Sequence, residues 1–258
     1  MRLRVCHLYP DLLNLYGDRG NIMTLTRRAA WRGIAVEVTE VGLGEALRPE
    51  AHDLFFIGGG EDRQQVLAAA DLRAGTGGAL RDAVEDGAVL LAVCGGYQLM
   101  GHAYLPAEGE PLRGIGLLDL ETRHPGKGRR RLIGNLIIRC SGEIGGRCGG
   151  EIGGRCGGET LVGFENHGGR TTLGPSARPL GRVERGGGNN GEDRTEGAVY
   201  RHAYGTYLHG PLLPKNPWLA DHLIAAALRR THGEVTLAPL DDRLERAAHE
   251  AALRRFGR

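Results

Sequence analysis

The chain has 258 residues, 41% of them hydrophobic and 25% charged, with 33 Lys+Arg against 31 Asp+Glu for a net charge of +2. The basic residues are scattered apart from the run 127–131, so the electrostatic footprint of a nucleic-acid-binding protein is missing. No apolar stretch approaches the roughly 18 residues of a membrane span, and MRLRVCHLYPDL lacks the apolar core of a signal peptide, which leads us to expect a cytoplasmic protein with no membrane anchor.

In chain order, residues 3–8 read as a first strand, 21–32 as a helix, 35–41 as a second strand and 53–57 as a third. Helical patterns at 62–70 and 78–86 lead to AVLLAV at 88–93, a continuous apolar run suited to the centre of a sheet covered on both faces. This alternation predicts an α/β fold with a parallel sheet and crossover helices. In such sheets the functional crevice lies outside the carboxyl ends of the strands, so Gly58-Gly59-Gly60 and Cys94 are expected to face one cleft. Further on, EIGGRCGG at 143–150 recurs at 151–158 and reads as a Gly-rich insert spanning 141–160. Cys140, Cys148 and Cys156 recur every eight residues but form no close pair, so no metal site is expected. With five cysteines in all, an odd number, a disulfide framework is not expected either. Residues 186–197, GGGNNGEDRTEG, read as an exposed turn region, 218–230 as an amphipathic helix on the sheet, and 240–258 as a charged, solvated helical tail. The expected organisation is one domain over 1–238, carrying the insert, followed by a tail at 239–258.

The segment AVCGGYQLMG at 92–101 is the most informative. A small residue two before Cys94 and a glycine two after it are what a sharp strand-to-helix turn requires, and such a turn exposes a nucleophile. It also places the thiol at a helix N-terminus, which favours thiolate. Among ten histidines the best-placed base is His209, at the end of the short apolar run YGTYLH and before Gly210-Pro211. His167, in GFENHGG with Asn166, is the rival base and a binding candidate. Amides of the glycine triplet could face a developing oxyanion.

Cys94, Gly96 and Gln98 form a CxGxQ pattern that, with a distant histidine, resembles the class I glutamine amidotransferases. Five blocks are similar to the cobyric-acid-synthase-type branch of that family: HLYPDLLNLYGDRGN at 7–21, FFIGGGEDRQQ at 55–65, CGGYQLMG at 94–101, GFENHGGRT at 163–171 and GTYLHGPLLPKNP at 205–217. The resemblance runs from about residue 3 to residue 232, outside 141–160. It implies a flavodoxin-like, mostly parallel sheet flanked by helices, with Cys94 attacking the side-chain amide of L-glutamine and His209 passing protons. It further implies a substrate site drawing on Gly59, Gly60, Gln98, Asn166 and His167, with Arg131 as the glutamine-binding arginine. Arg129 and Arg130 remain adjacent competitors.

Many class I members carry His-x-Glu, whereas Gly210 and Pro211 follow His209 here, so a Cys-His dyad is expected, with an acid from a partner subunit left open. The chain has no GxxxxGK[ST] phosphate loop, so ammonia is expected to go to another polypeptide. The resemblance implies a Mur-ligase-like, MurT-type ATP-dependent subunit that amidates D-glutamate in the lipid II stem peptide. ATP and Mg²⁺ are then expected on that partner, with no cofactor in this chain and lipid II met only through the complex. A glutaminase serving a cobyrinate-type or other small-molecule acceptor stays open, as does a glutamine-binding module without turnover.

Overall fold

The computed structural model describes residues 1–126, 128–141 and 159–256. The repeat, with Cys148 and Cys156, lies outside the described residues, as does Lys127 of the basic run. The amino-terminal half is built from β1 (Arg2–Leu8), α1 (Arg19–Ala30), β2 (Ala35–Val41), β3 (Leu54–Ile57), α2 (Asp62–Asp71), α3 (Gly77–Glu85), β4 (Val89–Val93) and α4 (Gly95–Met100). Short strands follow: β5 (Ala103–Leu105), β6 (Leu112–Arg113), β7 (Leu120–Arg123), β8 (Leu132–Cys140), β9 (Thr160–His167), β10 (Arg170–Leu173), β11 (Gly181–Arg185), β12 (Thr195–Glu196), β13 (Ala198–Tyr200) and β14 (Ala203–Thr206). Helices α5 (Pro217–His232) and α6 (Arg243–Phe256) complete the chain.

The main sheet has the order β13-β14-β4-β3-β1-β2 and is parallel except for the edge strand β13. From β2 to β14 this is the doubly wound order of flavodoxin-like folds. Its centre is dry, since every residue of LFFI in β3 and VLLAV in β4 is buried. Helix α5 packs over β1, β3 and β4, so the sheet points its carboxyl ends at one crevice, where Gly58 follows β3 and Cys94 follows β4. Among the described residues no helix is long and apolar enough to cross a membrane.

Three features differ from the sequence reading. The helical patterns at 62–70 and 78–86 are joined through a widened turn, Leu72–Thr76, in which Gly75 adopts φ +156°. The region between β4 and β13 forms two further four-stranded sheets, β10-β7-β5-β6 and β12-β11-β8-β9, whose strands of two to nine residues are mostly too short to show a period. Residues 186–197 are not simply an exposed turn, because Asn189 and Glu196 within them are fully buried. Asn189 accepts the Tyr97 hydroxyl (3.0 Å) and donates to the Gly197 carbonyl (3.0 Å).

Helix α6 is exposed along most of its length but is not free in solvent. Ala252 packs on Ile137 of β8 and Val162 of β9, and His249 bonds the Thr160 hydroxyl (2.9 Å) and the Lys215 carbonyl (2.8 Å). Just before it, Asp242 joins a buried charge network. The Arg28 guanidinium donates to Asp221 (2.7 Å from Nε) and to Asp242 (2.6 Å from Nη1), and Arg32 also grips Asp221 (2.7 Å from Nη2). The Arg28 side chain is only 2% exposed, so its charge is tolerable because both carboxylates are present. Arg28→Met should therefore lower the unfolding free energy by about 3 kcal/mol, as expected when one partner of a buried network is removed. Urea unfolding followed by circular dichroism measures this, and an unchanged midpoint would contradict it.

Candidate active site

Cys94 stands between β4 and α4 at φ 50° and ψ −105°, a strained backbone that costs a non-glycine residue about 1–3 kcal/mol. Its amide donates to the Thr206 carbonyl of β14 (2.8 Å), and its carbonyl accepts the Gln98 amide (2.9 Å), which locks the turn. Two residues on, a Cβ at Gly96 would lie 2.8 Å from the backbone oxygens of both Ile57 and Gly58. Only glycine lets β3 and the elbow approach so closely. Burial pushes the thiols of Cys6 and Cys140 up to about 12.

His209 is held against β9 by a backbone bridge, donating to the Phe164 carbonyl (2.8 Å) and accepting its amide (3.2 Å). The imidazole is buried, with the Tyr16 ring edge-on at 5.1 Å. A Cβ at Gly59 would fall 3.0 Å from His209 Cε1, 3.2 Å from Cys94 Cβ and 3.5 Å from Asp18 Oδ2. Thiol, imidazole and a carboxylate thus converge on one bare glycine. The carboxylate was not anticipated: Asp18 Oδ1 lies 3.6 Å from His209 Nδ1, both side chains being fully buried. Although no acid follows His209 in sequence, one reaches the imidazole from within this chain. Burial alone would lower the His209 pKa, but the charge of Cys94 and the carboxylate of Asp18 outweigh it and push it up to about 10. The Asp18 block, YGDRGN, was visible in sequence, but the aspartate there reads as an ordinary residue ahead of a helix.

In front of Cys94 opens a cavity of about 700 Å³ whose lining includes Gly60, Gln98, Arg131, Asn166 and His167. Of the sequence-named site residues, Gly59 and His209 lie behind Cys94 instead of on this wall. The Gly59 amide donates to Asp18 Oδ2 (2.7 Å), so it is held by the carboxylate and not offered to an oxyanion. Arg131, and not Arg129 or Arg130, lines the cavity. Asn166 orients its guanidinium by accepting from Nε (3.0 Å) and Nη2 (3.1 Å). His167 is a wall residue: its ring stacks on Tyr207 at 3.5 Å, Nδ1 contacts the Gly169 carbonyl (2.9 Å), and burial lowers its pKa. Sequence reasoning also missed Glu61, Asp62 and Tyr104 on the lining, with the Tyr104 hydroxyl donating to Asp62 (3.1 Å). Among the described residues, no cluster of His, Cys, Asp and Glu is arranged to hold a metal ion.

A strained thiol beside a buried imidazole, before a cavity holding a guanidinium, is equipment for acyl transfer from an amide that carries a carboxylate. The fold that presents it is shared with a solved glutamine amidotransferase from Thermotoga maritima, which superposes with a TM-score of 0.54 at 17% identity, covering 99% of this chain and 92% of that one. Residues 4–217 match the CobB/CobQ-like glutamine amidotransferase domain, and the chain belongs to that family. It is 40% identical over 256 residues to the lipid II isoglutaminyl synthase (glutamine-hydrolyzing) subunit GatD of Staphylococcus aureus (strain N315), covering 99% of this chain and 97% of that protein. It is 36% identical over 233 residues to the GatD subunit of Streptococcus pneumoniae (strain ATCC BAA-255 / R6), covering 90% and 83%.

The electrostatics of the site give a direct test. Burial with the nearby Arg229 and His202 pushes His222 down to about 4, whereas His209 lies at about 10. Nitrogen-15 NMR near pH 8 should show His209 as imidazolium and His222 as neutral imidazole. Cys94→Ala should lower the His209 pKa, because it removes a charge that opposes burial. A wild-type His209 titrating near the usual value of about 6.5 would contradict this arrangement.

Proposed function

We propose that this chain is the glutaminase subunit of a lipid II isoglutaminyl synthase, hydrolysing L-glutamine to glutamate and ammonia. The observation that carries the reading is the meeting of Cys94 and His209 behind a cavity lined by Arg131. A zwitterionic amino acid needs both signs of charge for recognition. Arg131 presents a planar guanidinium to the α-carboxylate, with Glu61 and Asp62 on the same lining for the α-ammonium.

The Cys94 thiolate attacks the carbonyl carbon of the side-chain amide, and the carbonyl electron pair moves onto oxygen. The Gly60 amide nitrogen lies beside Gly95, 3.0 Å from where a Cβ there would stand, which puts backbone nitrogen of the glycine loop next to the elbow, where amide donors would meet that oxyanion. His209 delivers a proton to the leaving nitrogen, the C–N bond breaks, and ammonia departs from a Cys94 thioester. The now neutral imidazole takes a proton from water, whose oxygen attacks the thioester. The C–S bond breaks, releasing glutamate and restoring the thiolate. Gln98, anchored to the Tyr207 hydroxyl (3.1 Å), and His167 shape the wall.

The released ammonia passes to a MurT-type, Mur-ligase-like subunit, which uses ATP and Mg²⁺ to amidate D-glutamate of the lipid II stem peptide to D-isoglutamine. Support comes from the two GatD relatives, each named as a subunit of a glutamine-hydrolyzing lipid II isoglutaminyl synthase. The test is glutamate release from glutamine, assayed alone and with a MurT-type subunit. Cys94→Ala should abolish release, and Arg131→Ala should raise KM about 10- to 100-fold with little change in kcat, the signature of lost charge-assisted hydrogen bonds to bound substrate. Release that persists in Cys94→Ala refutes the reading.

A further inference from the structure

We propose that His249 of α6 is a positioning residue for glutamine binding: it latches the segment that carries His209 to the foot of the β8–β9 pair that carries Arg131 and Asn166, and so fixes where the guanidinium stands relative to the thiol. The inference rests on the reading of Arg131 as the residue that binds the substrate carboxylate.

Strand β9 is the edge of its sheet, in the order β12-β11-β8-β9, and its outer side lies along the segment 209–216. The His209 backbone bridges Phe164. Further along, the buried Asn216 side chain takes both backbone groups of Val162, accepting from the amide (2.9 Å) and donating to the carbonyl (2.9 Å). Two residues before Val162, Thr160 is the point at which α6 enters. A carbonyl can only accept, so His249 Nδ1 donates to the Lys215 carbonyl (2.8 Å), and Nε2 of the neutral ring takes the Thr160 hydroxyl (2.9 Å). Both ring nitrogens are thereby used. Lys215 adjoins Asn216, so the imidazole closes a ring of hydrogen bonds that runs through Lys215, Asn216, Val162 and Thr160.

A latch must itself be held, and α6 is gripped on both sides of His249. Just before the helix, Asp242 accepts from the buried Arg28 guanidinium, and one turn after His249, Ala252 packs on Ile137 and Val162, which face each other across β8 and β9. The helix lies beyond residues 4–217 of the matched family domain, so the latch comes from outside the part of the chain that it stiffens. At about 3.3 Å per residue, Thr160 stands about 13 Å to one side of Phe164 and Asn166 about 7 Å to the other. With the His209 bridge at Phe164 as fulcrum, a shift of about 1 Å at Thr160 swings Asn166 by about 0.5 Å the opposite way. Binding groups work within a tolerance of about 0.5 Å. A loosened foot is therefore felt at Arg131, whose Nε and Nη2 are both oriented by Asn166. The imidazole of His209 sits at the fulcrum, so substrate binding suffers while the reacting pair is spared.

The experiment uses the full chain with His249→Ala, Thr160→Val and Arg131→Ala, singly and combined. In a Cys94→Ala background, where no turnover consumes the ligand, calorimetry reads the affinity for glutamine. His249→Ala should weaken it about 10-fold and Thr160→Val, which removes one hydroxyl, about 3-fold, the scale of one or two lost hydrogen bonds. With Cys94 restored, KM should rise in step while kcat and the rate of Cys94 alkylation by iodoacetamide stay within about twofold, the pattern of lost uniform binding. Because the latch acts through the guanidinium, His249→Ala should add nothing once Arg131 is alanine, a coupling that a tail of merely structural value would not show. Affinity unchanged in His249→Ala, or in Thr160→Val should His249→Ala fail to fold, overturns the inference and leaves the glutaminase standing. So does a His249→Ala effect that persists in full beside Arg131→Ala. Glutamate release from glutamine that persists in Cys94→Ala overturns the glutaminase reading itself.

Discussion

Everything at this site depends on a close approach of backbones. The strands β3 and β4 pair side by side, and their carboxyl ends must bring a thiol and an imidazole to one point without a side chain between them. Gly58, Gly59 and Gly96 provide that bareness, each at a spot where a Cβ would collide with backbone or with a functional group. The strained conformation of Cys94 belongs to the same constraint: it is stabilised by the Thr206 and Gln98 backbone bonds on either side of it. A dry, fully paired sheet centre makes the platform stiff enough to hold this strain, because packed interiors yield little to local distortion.

The binding half of the site follows different logic. Arg131 precedes β8, and its partner Asn166 lies near the end of β9, strands that pair in register from Leu132 with His167 to Arg139 with Thr160. The guanidinium is thus oriented by a hairpin outside the main sheet, while the nucleophile is oriented by the main sheet itself. The Tyr16 ring spans the two, since its hydroxyl accepts from Asn166 and its edge faces His209.

Much of this was legible in the sequence, and the legible parts share a property: they are local. AVLLAV announces a buried strand by composition, and Cys94-Gly95-Gly96 announces a tight turn by the absence of bulk. The parts that were not legible depend on contacts between distant segments. Asp18 looks like a helix cap until Gly59, 41 residues away, claims its carboxylate. The choice among Arg129, Arg130 and Arg131 depends on how the chain enters β8, which three like residues in a row conceal. The alanine-rich helix α6 reads as solvated because its anchoring is concentrated on few side chains, chiefly Ala252 and His249. The short strands β5 to β7 and β10 to β12, of two to five residues, alternate too briefly for a period to emerge.

The ion network at Arg28 reaches further than the stability of α1. That helix starts one residue after Asp18, and Arg28 lies about 13.5 Å along it at 1.5 Å per residue. The helix is therefore a strut, clamped by charge at one end and presenting a carboxylate to the glycine loop at the other. Because the guanidinium at the clamp is buried, mobile ions screen it far less than they would a surface pair. The alignment of the carboxylate is in this way insulated from the ionic strength of the surroundings.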